Sequence, residues 1–479
     1  MPAGGTTEAP AAASVRAARK LAGGMRTAGG ERADGRDAPA GAATAPPLHE
    51  QLSARERSRS WRRRFLLREA RSRSLVVVPC LWIAAALALG EAIPRLEGER
   101  DLLGLDLDAD TARTILSSIA GGMIAFIGLV VSIAGVVVTF GASQYTPRLV
   151  SRFRRDPAVK HALGVFAAPT VFALVSLRNI GRDGSTVVPS LTVAANVVLL
   201  IAALLAFFGL VSLLLDLLRP RRVIAQVVAI GGEAIAEAYP FAFDAAPPRA
   251  PAPAAPVALV VRNERRGGVL TALDRARLVR AAEQGGVVVE VAVCVGAFVP
   301  RGAPLLLVHG DPARVDAEEL RRGALLGEER TIAQDPAFAL RALVDLALRA
   351  LSPAVNDPTT AVQALDGIEE LLLELAGRDL ERRQLADGRG RLRLICPNPG
   401  WQELLDLAVT EIRRYGADSP QIARRLRALL LALREQAPAA RRGAVEAQLE
   451  RLDAAVAAAY EDPVERAHAL VADPLGIGG

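Results

Sequence analysis

The sequence predicts a membrane α-helical protein of four transmembrane helices. These are joined to a cytoplasmic α+β region that holds a small barrel-sandwich-like β unit and a helical C-terminal domain. Three observations predict it. Mean hydropathy is +0.26 although 23% of the 479 residues are charged, so apolar residues must be gathered into blocks. Four uncharged stretches fall between residues 74 and 215. Arginines crowd alternate flanks of those stretches, the pattern that orients membrane helices.

Residues 1–50 are rich in Ala, Gly, Thr and Pro without apolar periodicity and have no face to bury, so a disordered tail is expected. No signal peptide is expected, because the first long apolar run begins at Leu75. Residues 51–73 form a basic juxtamembrane segment that includes Arg55, Arg62, Arg63, Arg64 and Arg71. The transmembrane domain, 74–222, contains the stretches 74–90, 114–147, 162–177 and 184–215. Each spans or nearly spans a bilayer core of about 30 Å at about 1.5 Å per residue.

The loop after the first stretch is acidic, with Glu97, Glu99, Asp101, Asp106, Asp108 and Asp110. The second stretch exits into Arg148, Arg152, Arg154 and Arg155, and the fourth into Arg219, Arg221 and Arg222. This asymmetry predicts a multi-pass protein of the bacterial inner membrane with both termini in the cytoplasm.

Residues 223–256 read as a helix followed by a linker carrying Pro247, Pro248, Pro251, Pro253 and Pro256. A small β domain is expected at 257–312, with strands at 257–261, 268–273, 287–293 and 304–308 and a helix at 274–284. A mostly helical domain follows at 313–479, interrupted by a short strand at 391–395.

Composition and motifs exclude several functions. Of the 58 basic residues only Lys20 and Lys160 are lysines, and aromatics make up 4% of the chain, so no stripe of basic and stacking residues marks a nucleic-acid surface. Cys80, Cys294 and Cys396 are odd in number and far apart, which indicates neither a disulfide framework nor a metal site. His49, His161, His309 and His468 are mutually isolated, and no P-loop, nucleophile elbow or dinucleotide fingerprint is present. The chain is therefore read as a non-enzyme without cofactor. The turn 295–305, with Gly296 and Gly302, resembles that of lipoyl and biotinyl carrier domains, but it has no lysine to bear a cofactor, so only the scaffold is expected.

Asp335-Pro336 and Asp357-Pro358 each combine an N-cap carboxylate with a proline at the first helical position, so two helices should begin there. Arg341, Asp345 and Arg349 share one face of the first and can pair along it. Capping and pairing explain these residues; a polar pocket in which Arg330, Asn356 and Asp357 meet a small anion is the functional reading.

These blocks carry a resemblance. Gln144-Tyr145-Thr146-Pro147-Arg148, Glu329-Arg330-Thr331, Asp335-Pro336, Leu343-Val344-Asp345 and Asn356-Asp357-Pro358-Thr359-Thr360 together resemble the bacterial predicted membrane proteins of the domain-of-unknown-function 2254 family. The likeness covers roughly residues 75–460. It implies four spans and a cytoplasmic C-terminal region, and it brings no established activity.

Within the second stretch, Ser118, Gly122, Ala125, Gly128, Ser132, Gly135 and Thr139 recur every three to four residues. Such a face allows close helix contact and can equally line a water path. The sequence thus points to a channel-like or transport-related homo-oligomer in contact with membrane lipid. Its rival is a membrane-anchored sensor or scaffold whose spans only tether the soluble part.

Overall fold

A computed structural model describes residues 50–51, 76–97, 107, 109–144, 157–179, 190–217 and 219–477. The N-terminal tail up to His49, most of the basic juxtamembrane segment, and Pro147 and Arg148 lie outside the described residues. Four long apolar helices come first: α1 (Val77–Glu97), α2 (Ala109–Gln144), α3 (Pro157–Asn179) and α4 (Ser190–Leu217). Each is long and apolar enough to cross a membrane. Helices α2 and α3 extend several residues past the uncharged stretches that predict them, because Asp110, Arg113, Lys160 and Arg178 fall in terminal turns.

The chain order hides which helix is central. In α3 56% of the apolar window is buried, against 11–22% in the other three, so α3 is the hub on which they pack. Trp82 of α1 lies against Gly164 and donates to His161 Nδ1 at 3.1 Å, while Glu91 of α1 pairs with Arg178. Helices α1 and α3 therefore run in the same direction. Phe126, Phe166 and Phe207 interlock edge to face across α2, α3 and α4, with centroids 5.1–5.6 Å apart. Toward the other end Leu116 of α2 and Val193 of α4 share a cluster with Ala173 of α3, which makes α2 and α4 antiparallel to it. A bundle of this order takes the chain in and returns it at the same end.

After Arg219, whose extended backbone breaks the helix, Pro220 starts α5 (Pro220–Ala238). Its buried residues Val223, Ile224, Val227, Val228, Gly231, Ala234, Ile235 and Ala238 form one stripe. That stripe enters the main core of the soluble region, built with α8 (Pro336–Ala350), α9 (Pro358–Ala376), α10 (Trp401–Gly416), α11 (Pro420–Gln436), α12 (Ala439–Ala459) and α13 (Pro463–Ala469). The helix expected at 223–239 is thus part of a packed core. The proline segment after it has no regular structure and is pinned by Arg249 on Asp379, at 2.6 Å, and by Gln384 on the Ala250 backbone.

The strands are β1 (Glu50–Gln51), β2 (Val257–Arg262), β3 (Gly268–Leu273), β4 (Val288–Val291), β5 (Phe298–Val299), β6 (Pro304–His309), β7 (Ala324–Gly327), β8 (Arg383–Ala386) and β9 (Leu392–Cys396), with helices α6 (Arg275–Gly285) and α7 (Ala317–Arg321) among them. They form a six-stranded mixed sheet in the order β1-β8-β9-β4-β6-β2 and a three-stranded antiparallel sheet β5-β3-β7. Among the described residues no closed barrel is seen. The turn 295–305 carries the chain from β5 in the small sheet to β6 in the large one, so it is a crossing between sheets and not the hairpin of a carrier domain. The large sheet also recruits β8 and β9, and the small one β7, from beyond residue 312.

Candidate functional site

At about 100° per residue, the small residues of α2 occupy one side of the helix. Ala112, Leu116, Ala120, Met123 and Val130 are buried against the bundle on the opposite side. Ser118, Gly121, Gly122, Ala125, Gly128, Ser132 and Gly135 are not among these buried residues, and all seven are exposed. A Cβ placed on Gly121, Gly122, Gly128 or Gly135 would meet nothing within 4 Å. Ser132 Oγ turns back onto the Gly128 carbonyl at 2.9 Å, as helical serines do without a better partner. Leu129 and Val136 stand on the same side, exposed, and break the stripe. Thr139 and Gln144 fall in the last turns, where only the backbone is described.

Sequence reasoning missed several buried polar groups inside the bundle. Thr170 Oγ1, Ser176 Oγ and both amide atoms of Asn196 are buried without a hydrogen-bond partner. In an apolar span such groups are costly and mark places where polarity is retained for a reason. The signal was visible: Asn196 is the one amide in the stretch 184–215.

In the soluble region Asp335 caps α8, accepting from the Phe338 N–H at 3.1 Å, and Asp357 caps α9, accepting from the Thr360 N–H at 3.1 Å and from its hydroxyl. Pro336 and Pro358 take the first helical positions. Asn356 adopts a left-handed backbone with φ 46, a conformation that asparagine tolerates. The structure does not bring Arg330 to Asn356 and Asp357. Gly231 packs on Ala339 and Leu371, and Gly367 on Leu343, so α8 and α9 are antiparallel. Their caps therefore sit at opposite ends, about 27 Å apart along the axis.

Arg330 instead pairs with Asp335 through two hydrogen bonds and lies over the Phe338 ring at 5.3 Å. Burial pushes the Asp335 carboxyl above the ordinary carboxylate value, opposed by Arg330 and the Phe338 N–H. The turn 295–305 closes over this pair. Gly296 has φ +93, and a Cβ there would lie 2.1 Å from Asp335 Oδ2. The glycine that resembles a carrier turn thus seats the β unit on the cap of α8. Asp345 pairs with Arg341 at 2.6 Å, and Arg341 reaches on to Glu411 of α10, a link between helices that spacing along α8 alone does not give.

Burial, the largest influence on it, pushes the Cys294 thiol up to about 11, so it stays protonated at neutral pH and is a poor nucleophile. Among the described residues no three His, Cys, Asp or Glu side chains are grouped to hold a metal. A crevice of about 30 Å³ between Phe241, Pro247, Asp379 and Gln384 has room for one water molecule.

Comparison with known proteins follows the same outline. The family model described as "Predicted membrane protein (DUF2254)" matches residues 72–432. An uncharacterized protein of Mycobacterium tuberculosis and one of Mycobacterium bovis are each 28% identical over 412 residues, covering 82% of this chain and 78% of theirs. No solved structure matches the chain.

Proposed function

Because the chain belongs to the DUF2254 family of predicted membrane proteins, we propose that it acts as a channel-like or transport-related homo-oligomer with a cytoplasmic regulatory region and no catalytic role. The observation that carries this reading is the outward face of α2. A helix side that meets lipid gains by presenting large side chains, whereas Ser118, Gly122, Ala125, Gly128, Ser132 and Gly135 leave backbone uncovered over about 25 Å. The same face on neighbouring copies fills that space around a common axis. Backbone carbonyls and hydroxyls then face the axis, the groups that line water paths.

In this reading the partners are membrane lipid and further copies of the chain, not nucleic acid. The arginine-rich flanks of α1 and α4 support a reading with both termini in the cytoplasm of a bacterial plasma membrane. Cysteines placed at Asp106 and Asp183 are then expected to react with an impermeant thiol reagent from outside, and one at Asp156 only after permeabilisation. Labelling of the Asp156 position in intact cells would reverse the orientation.

The oligomer is tested by cross-linking the purified protein in mild detergent and by ion or solute flux in liposomes. Gly135→Leu should break the assembly or the flux, while Val131→Leu, exposed off the stripe, should leave both intact. A strict monomer indifferent to Gly135→Leu favours the rival, a tethered sensor or scaffold. Leu129 and Val136, which interrupt the stripe with ordinary lipid-facing side chains, speak for that rival.

A further inference from the structure

Beyond residue 300, the large hydrophobic residues exposed among those described are Val355, Tyr415, Val464, Val471, Leu475 and Ile477, at 37–75% exposure. They are scattered in sequence, and the packing of the helices gathers them at one end of the soluble bundle. Val355 lies in the turn between α8 and α9. Tyr415 ends α10, whose Gly416 packs on Leu351 in that same turn and on Ile422 in the first turn of α11. The C-terminal segment returns there: Gln421 donates to the Gly476 carbonyl, and Gly476 packs on Val362 in the second turn of α9. Arg424 of α11 holds the Val471 carbonyl. Arg427 pairs with Asp453, so α12 runs back to this end and hands over to α13, which carries Val464 in its first turn.

This end is the one nearest the end of α4. Gly367 packs against both Ile224 and Val228, and Gly231 against Leu371, so α5 and α9 run parallel. In that register α9 begins about 5 Å ahead of α5 in the direction from which the chain arrives. Helix α5 itself starts at Pro220, just past the end of α4 at Leu217. The opposite end, where Asp335 caps α8, exposes Phe243 and, in the β unit seated there, Phe298.

We propose that this apolar end, centred on Val355, Leu475 and Ile477, rests in the interfacial layer of the bilayer that α4 crosses, with lipid as its occupant. Two independent features support this: six exposed apolar residues converge on one end, and the chain's own connection brings that end next to α4. Exposed charge there is mixed, with Arg221 and Arg222 against Asp418, Glu461, Asp462 and Glu465. Attachment is therefore apolar, and neutral phosphatidylcholine suffices. The inference rests on α4 crossing the membrane and not on the oligomeric reading.

The test uses full-length protein lacking Cys80, Cys294 and Cys396, carrying a single fluorophore through Val355→Cys, Ile477→Cys, Phe298→Cys or Phe208→Cys. It is reconstituted one copy per phosphatidylcholine nanodisc with nitroxide-bearing lipid. Phe208 is exposed on α4 and reports insertion; Phe298 is exposed in the β unit, next to the turn that covers Asp335 at the far end. At Val355 and Ile477 the fluorescence should fall to less than half, as at Phe208, and high salt should not restore it; at Phe298 it should stay. Unquenched fluorescence at Val355 and Ile477 while Phe208 is quenched overturns the proposal. So does shielding of those two positions that persists in lipid-free detergent and grows with protein concentration, which would identify a second copy as the occupant.

Discussion

Gly296→Ala is the most informative single change in the soluble region. Two costs combine at this position. The φ of +93 is a conformation that alanine adopts only under strain, worth about 1–2 kcal/mol. The added methyl would also lie 2.1 Å from Asp335 Oδ2 and 2.5 Å from Arg330 Nε. That carboxylate has little room to yield, because it is 2% exposed and held by Arg330 and the Phe338 N–H. Displacing it forfeits the cap of α8, about 1 kcal/mol, and part of the ion pair, for a total of about 3 kcal/mol.

Gly302→Ala supplies the control, since Gly302 has φ +82 but open space around it, and should cost only the strain. Thermal unfolding of the full-length protein in detergent, followed by helical ellipticity, reads the difference. At about 2–4 °C per kcal/mol the Gly296 variant should melt about 6–12 °C lower, and the Gly302 variant about half as much. In an Asp335→Ala background the gap between the two glycine variants should shrink, because Oδ2 is gone and Arg330, no longer held by it, is free to swing aside. Equal losses in the wild-type background would refute the idea that this turn is seated on the cap.

Further expectations concern other groups. Asp357→Asn should be mild, since asparagine caps nearly as well, whereas Asp357→Ala should lose about 1 kcal/mol in the same melting assay; equal losses would give the charge a separate role. Asn196→Leu, close in shape, removes a buried amide with no partner and should raise stability by about 1 kcal/mol; a loss above about 2 kcal/mol would mean that the amide is paired. The raised Asp335 carboxyl sets a pH dependence: its contribution to stability is fully present below the ordinary value of 3.8 and is lost as pH rises through its raised folded value. Wild type should thus gain on Asp335→Asn as pH falls from neutrality, and a melting-temperature difference that stays flat would show that burial does not dominate at this carboxyl.

The membrane half was legible in the sequence because crossing a bilayer leaves a long, uncharged signature. Its four helices fall where the apolar runs predict, and the caps at Asp335 and Asp357 start α8 and α9 at the predicted residues. What the sequence concealed is long-range. That α3 is the hub depends on packing of residues such as Phe166 and Phe172, which look like any other lipid-compatible side chain in the string. Strands β7 and β8 are four residues each, too short for alternation to be read, and exist because β3 and β9 offer them a partner. The pocket built from Arg330, Asn356 and Asp357 is separated in space because two caps close in sequence lie at opposite ends of a helical hairpin. Arg330 found a nearer carboxylate in Asp335.

Helix α5 has a practical meaning for how force passes through this molecule. It follows the last membrane helix after a single break near Arg219, and its Gly231 is wedged between Ala339 and Leu371 of the soluble core. A tilt or rotation of α4 has no slack segment in which to dissipate before reaching that core; α5 acts as a lever whose far arm is clamped. Cutting the chain within the proline segment would therefore not release an intact soluble unit, since it would strip a helix from the middle of it. A fragment that keeps this helix has to begin no later than Arg219, and it still gives up β1 at the edge of the large sheet.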